Sequence, residues 1–131
     1  MKKHKNEEWY KSLYEDCIEK YNDVPPPWVM NPDTHPYSIG WRMGGGETYM
    51  MFFSEWFDET HVNEKNRIDY FLKYPVQPRY LGWLADFIWG LRPWEVEDFD
   101  YSLYFKKLED LGFKGTKDYK EDLEDEKWLS S

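Results

Sequence analysis

The chain has 131 residues, a formal net charge of −9, 33% charged residues and an aromatic share of 21%. That length suits one domain with a core that needs no disulfide or metal staple, and a lone Cys17 excludes an intrachain disulfide. The negative surplus repels phosphate backbones and disfavours nucleic acid as a partner, and no apolar run reaches the length of a transmembrane helix.

Residues 6–22 carry Trp9, Tyr10, Leu13, Tyr14, Cys17, Ile18 and Tyr21 at spacings of three and four, which predicts an amphipathic helix. Cys17 falls on its apolar face and reads as a buried small hydrophobe rather than a nucleophile. The N-terminal stretch MKKHKNEEWY is basic without an apolar core, so no signal peptide is expected and the expected compartment is cytoplasmic.

Asn22 to Pro36 breaks the helical pattern. Pro25, Pro26 and Pro27 dictate an extended strap, pinned by Trp28. The stretch PYSIGWRMGGGETYMMFFSEWF follows, and the rest of the chain is expected to organise around it. Gly44, Gly45 and Gly46 form a Gly-rich loop that opens a helix from about Gly46 to Glu59. Tyr49, Met50, Phe52, Phe53, Trp56 and Phe57 cover more than one of its faces, so it should be the most buried helix.

Asn63 can cap a helix from Glu64 to about Tyr74, with Ile68, Phe71 and Leu72 inward and Pro75 as its stop. Pro78 can open a fourth helix to about Leu91, ended by Gly90, Arg92 and Pro93. Its core stripe is Leu81, Leu84, Phe87, Ile88 and Leu91, which leaves Trp83 and Trp89 for a second contact face. After the acidic loop WEVEDF, a fifth helix should run to about Leu111, with Leu103, Leu108 and Leu111 inward and Gly112 at C′. Thr116 can cap a last helix, KDYKEDLEDEKWL, whose few apolar positions suggest a loosely packed acidic tail over residues 115–131. The expected fold is all-α: one domain, residues 1–131, of about five or six helices.

The chemical signals are sparse. The glycine turn lacks the Lys-Ser/Thr ending of a phosphate loop, and Glu47 already occupies the positive end of the helix. Three consecutive glycines nonetheless exceed what one turn needs, which suggests close backbone approach or motion. His4, His35 and His61 show no metal-ligand spacing, so neither metal nor cofactor is expected. His35 and His61 could converge with Glu47 or Glu55 as an acid–base set, although histidines in such loops usually serve local hydrogen bonds. Arg42 beside Trp41 reads either as an anchor for an anionic group or as half of an ion pair with Glu47, Glu55 or Asp58.

Twenty-seven aromatic rings on an acidic chain point first to a protein-binding module. An inhibitor or immunity-type protein that occludes a basic partner fits that composition. The expected binding residues are His35, Trp41, Arg42, Gly45, Glu47, Trp83 and Trp89, with residues 95–100 and 118–126 as a charged rim. The second reading is an enzyme or small-ligand binder with a cleft at Gly44–Glu47. The third is a homo-oligomeric subunit whose surplus rings form its own interface. An enzyme is the less favoured of these classes.

Overall fold

The computed structural model describes residues 4–128. Residues 1–3 and 129–131 lie outside that range, and with them the start of the basic N-terminus and Leu129 of the expected last helix. The described chain is all-α: it holds seven α-helices, several short 3-10 turns and no strand. It sorts into two compact units, one ending at Asn63 and the other beginning at Glu64.

The first unit contains α1 (Glu8–Tyr21), α2 (Pro27–Met30), a 3-10 turn (Ile39–Trp41) and α3 (Gly44–Thr60). α1 buries only Tyr10 and Cys17. Tyr14 and Ile18, expected on the apolar face, stay exposed. For Ile18 the reason is angular. At 100° per residue Ile18 lies about 80° from Tyr10, outside the narrow stripe that meets α3. Tyr10 meets Phe52 edge to face, with ring centroids 4.8 Å apart.

The proline strap is core rather than cover. Val24 and Pro25 to Trp28 are all buried, and Pro27 opens α2 instead of prolonging an extended segment. Proline suits this place because a first-turn residue needs no intrahelical N–H partner. Tyr49 fastens the strap from α3: its hydroxyl donates to the Pro25 carbonyl at 2.6 Å. The same hydroxyl lies 3.9 Å from the Cys17 thiol.

α3 carries the centre of this unit, with Tyr49, Phe52, Phe53 and Phe57 buried. It starts two residues earlier than expected, so the glycines form its first turn rather than a loop before it. No side chain caps it, and Glu47 sits in the first turn.

The second unit contains α4 (Glu64–Leu72), a 3-10 turn (Pro78–Tyr80), α5 (Leu81–Trp89), a 3-10 turn (Pro93–Glu95), α6 (Ser102–Asp110), a 3-10 turn (Thr116–Asp118), α7 (Tyr119–Leu123) and a final 3-10 turn (Glu126–Trp128). α5 is the central rod, with Leu81, Gly82, Leu84, Ala85 and Ile88 buried and Gly90 ending it at φ 63°. On α4, Ile68, Tyr70 and Phe71 are buried, while Leu72 is exposed, against expectation. On α6 only Leu108 is buried. Leu103, expected inward, lies about 140° round the helix from Leu108 and is exposed. Leu111, also expected inward, sits past the helix end and is exposed too.

The end of α6 is a Schellman motif. Gly112 takes φ 102°, Phe113 N–H donates to Leu108 O at 3.0 Å, and Gly112 N–H donates to Glu109 O at 3.1 Å. Phe113, not Leu111, thereby fills the core beside Leu108.

The acidic tail docks on the turn before α5. Asp122 accepts from the Arg79 backbone N–H at 2.9 Å and from its guanidinium at 3.3 Å. The Trp128 ring lies 4.3 Å from that guanidinium, and its indole N–H donates to Asp122 O at 2.9 Å. Arg79 is a buried charge, 6% exposed, held by this clamp.

Candidate protein-docking site

The most exposed large ring among the described residues is Trp94, at 75%. Its position follows from the chain on either side. Gly90 ends α5, and Pro93 sets the φ of a 3-10 turn that places Trp94 at its centre. Glu95 N–H donates to Arg92 O at 3.0 Å, and the Arg92 guanidinium meets the Glu95 carboxylate at 3.2 Å across the same turn. Glu95, Val96, Glu97 and Asp98 are all exposed. Asp98 adopts φ 53°, a left-handed conformation that aspartate tolerates better than most residues. Asp100 then closes the loop: its carboxylate accepts from the Ser102 N–H at 2.9 Å and the Ser102 hydroxyl at 2.6 Å. Those two bonds hold its carboxyl below the ordinary range. The result is a large amphipathic ring on a short, braced turn, followed by three carboxylates within four residues.

The residues marked in the sequence are placed as follows. Trp41 closes the 3-10 turn before α3 and is buried, 5% exposed, so it serves the core. Arg42, the next residue, is exposed and makes no ion pair among the described residues. Gly45 and Glu47 are exposed on the first turn of α3. In the segment before α3, Tyr37, Ile39 and Met43 are exposed at 67%, 63% and 57%. His35 is half-buried, and its Nδ1 accepts from the Tyr37 N–H at 3.0 Å. It is a hydrogen-bonded turn residue here.

His61 follows the C-terminal end of α3, stacked on Phe57 at 5.1 Å. Glu47 is in the first turn of that helix, about 21 Å away along the axis. These two groups therefore do not converge. The histidine brought to Glu55 is His4, whose backbone N–H donates to its carboxylate at 2.6 Å.

In the second unit, Trp83 and Trp89 are half-buried and lie about 120° apart around α5. Trp83 packs edge-on against Tyr80 at 5.2 Å. Trp89 donates its indole N–H to Glu64 at 3.1 Å and meets Tyr104 at 5.5 Å. Both rings are tied into their own unit rather than presented together.

No family model, curated protein or solved structure matches this chain.

Among the described residues no group of His, Cys, Asp and Glu could hold a metal ion, and no helix is long and apolar enough to cross a membrane. One carboxyl is strongly perturbed. Burial pushes Asp86 up to about 7, and the Tyr101 hydroxyl that donates to it at 3.0 Å offsets part of that rise. Trp94 was visible in the sequence as a tryptophan between proline and acid. Its exposure was not, because a 3-10 turn leaves no periodicity to read.

Proposed function

We propose that this chain is a small acidic protein-binding module whose partner presents a basic surface, with an inhibitor or immunity-type role as the specific form. The observation that carries the reading is Trp94, open to solvent on a braced turn and followed by Glu95, Glu97 and Asp98. Tryptophan is over-represented among residues that dominate binding energy, and carboxylates at a rim steer a basic partner and fix its register. The net charge of −9 acts in the same sense over longer range. The mechanism is occlusion, with the indole as anchor and the acids around it excluding competing ligands of the partner.

The test is capture from the native host's lysate with three baits: wild type, Trp94→Ala, and the triple variant Glu95→Gln/Glu97→Gln/Asp98→Asn. Reconstitution from purified components follows. A basic protein that binds wild type stoichiometrically, is lost with Trp94→Ala, and associates more slowly with the triple variant or at raised salt supports the reading. A partner indifferent to both variants, or no partner, overturns it.

A further inference from the structure

The turn that presents Trp94 leaves and returns at one residue, Asp86 on α5. On the leaving side the Asp86 carbonyl accepts from the Gly90 N–H and, at 3.2 Å, from the Leu91 N–H. On the returning side the Asp86 carboxyl accepts from the Tyr101 hydroxyl at 3.0 Å, immediately before α6 begins. Residues 91–100, Trp94 among them, are thus a loop closed at both ends by a single residue.

The seat for Tyr101 is built into α5. Gly82 lies one turn before Asp86 on the same face. A β-carbon on Gly82 would stand 3.4 Å from Tyr101 Cζ and 2.9 Å from the Tyr119 hydroxyl, so glycine lets both phenols reach the helix. The Tyr101 ring also stacks on Phe105 at 5.4 Å and meets Phe99 edge to face at 4.9 Å.

No opposite charge holds Asp86 in this seat. It makes no ion pair among the described residues, and no other side chain of α5 ionises. On the elements around it, the Arg67 guanidinium of α4 donates to the Phe87 carbonyl at 2.8 Å, and Arg79 before α5 donates to Asp122. Lys107 of α6 lies over the Trp89 and Tyr104 rings, and Tyr119 of α7 is at Gly82. Burial therefore favours the neutral carboxyl while the loop is closed. An ionised Asp86 regains its hydration only if Tyr101 and the turn lift away, so ionisation works against the closed loop.

We propose that Asp86 is the positioning residue of the Trp94 turn: its bond to Tyr101 holds the turn closed while Asp86 is neutral, and loss of its proton lets residues 91–100 open. The functional meaning rests on Trp94 as the docking residue, whereas the clasp itself does not.

Amide 15N relaxation of the full-length protein reads the clasp without any partner. Wild type, Asp86→Asn and Asp86→Ala are compared at about pH 5.5 and about pH 8, either side of the value near 7 at which the folded carboxyl titrates. Wild-type order parameters over residues 91–100 should be about 0.85 at the lower pH and below about 0.6 at the higher, with α4 and α5 unchanged. Asp86→Asn is neutral throughout and can still accept from Tyr101, so its turn should stay ordered at both values. Asp86→Ala should be mobile at both. Circular dichroism establishes that the variants are folded. Wild type equally ordered at both values, an Asp86→Asn turn as mobile as that of Asp86→Ala, an undisturbed turn in Asp86→Ala, or loss of order spread evenly over α4 and α5 would each overturn the proposal. Failure here leaves the docking reading of Trp94 standing, and failure to capture a partner leaves the clasp standing.

Discussion

Gly46 lies against the backbone of Gly40: a β-carbon on Gly46 would overlap the Gly40 carbonyl oxygen. This contact joins the 3-10 turn to the first turn of α3 and requires glycine at position 46. Gly44 holds φ 61°, Gly46 permits the close approach, and Gly45 has open space around it with no such constraint. Two of the three adjacent glycines are therefore required by the local geometry and Gly45 is not. The outcomes of substitution should differ in sign. Gly46→Ala forces backbone apart and should cost about 2–3 kcal/mol. Gly45→Ala should stabilise by about 0.5–1 kcal/mol by restricting the unfolded chain. Urea unfolding midpoints of the two variants check both.

Asp86 makes stability depend on pH. Its carboxyl titrates near 3.8 when unfolded and near 7 when folded, because burial disfavours its charge. Between those values the folded state binds more protons than the unfolded one. Its contribution is therefore fully present below about pH 4, falls as pH rises and is gone above about pH 7. The full linkage of about 4 kcal/mol applies to a dry site. Partial solvent access reduces the expected loss to about 1–2 kcal/mol. Asp86→Asn can still accept from the Tyr101 hydroxyl. It should be more stable than wild type at pH 8 and nearly equal at pH 4, as read by thermal unfolding at the two pH values.

Removing Asp122 leaves the Arg79 guanidinium buried beside Trp128 without its carboxylate. Asp122→Ala should cost about 3 kcal/mol, well above the effect of losing an exposed ion pair such as Lys65–Asp69. Denaturant unfolding of Asp122→Ala and Asp69→Ala compares them directly.

Cys17 should be inert in the native protein. Its thiol is 2% exposed, and burial pushes its pKa up, with the Tyr49 hydroxyl contact offsetting part of the rise. Reaction with a thiol reagent should track unfolding. Tyr49→Phe, which deletes the donor to the Pro25 carbonyl, should destabilise by about 1–2 kcal/mol and speed labelling in proportion.

Trp94→Ala should leave stability within about 0.5 kcal/mol of wild type, because an exposed ring on a turn contributes little packing. Arg42→Glu should be equally mild. Trp41→Ala removes a buried ring and should cost about 3–5 kcal/mol, so its binding phenotype would be confounded by unfolding. Thermal unfolding of the three variants separates surface from core.

The residues alone determined the helical class, most helix positions to within a few residues, Cys17 as a core thiol and Gly112 as a helix stop. These features depend on periodicity and on local backbone chemistry, which adjacent residues carry. Tertiary structure decided which member of each apolar stripe is covered: Tyr10 but not Ile18, Phe113 but not Leu111, Leu108 but not Leu103. A stripe shows the face that can be buried, while its buried width depends on the opposing surface. The same holds for the candidate site. Trp41 and Trp94 both sit in short 3-10 turns, where no repeat pattern distinguishes a ring folded inward from one left in water. Only the packing of Gly46 on Gly40 and the exposed turn after Gly90 separate the two.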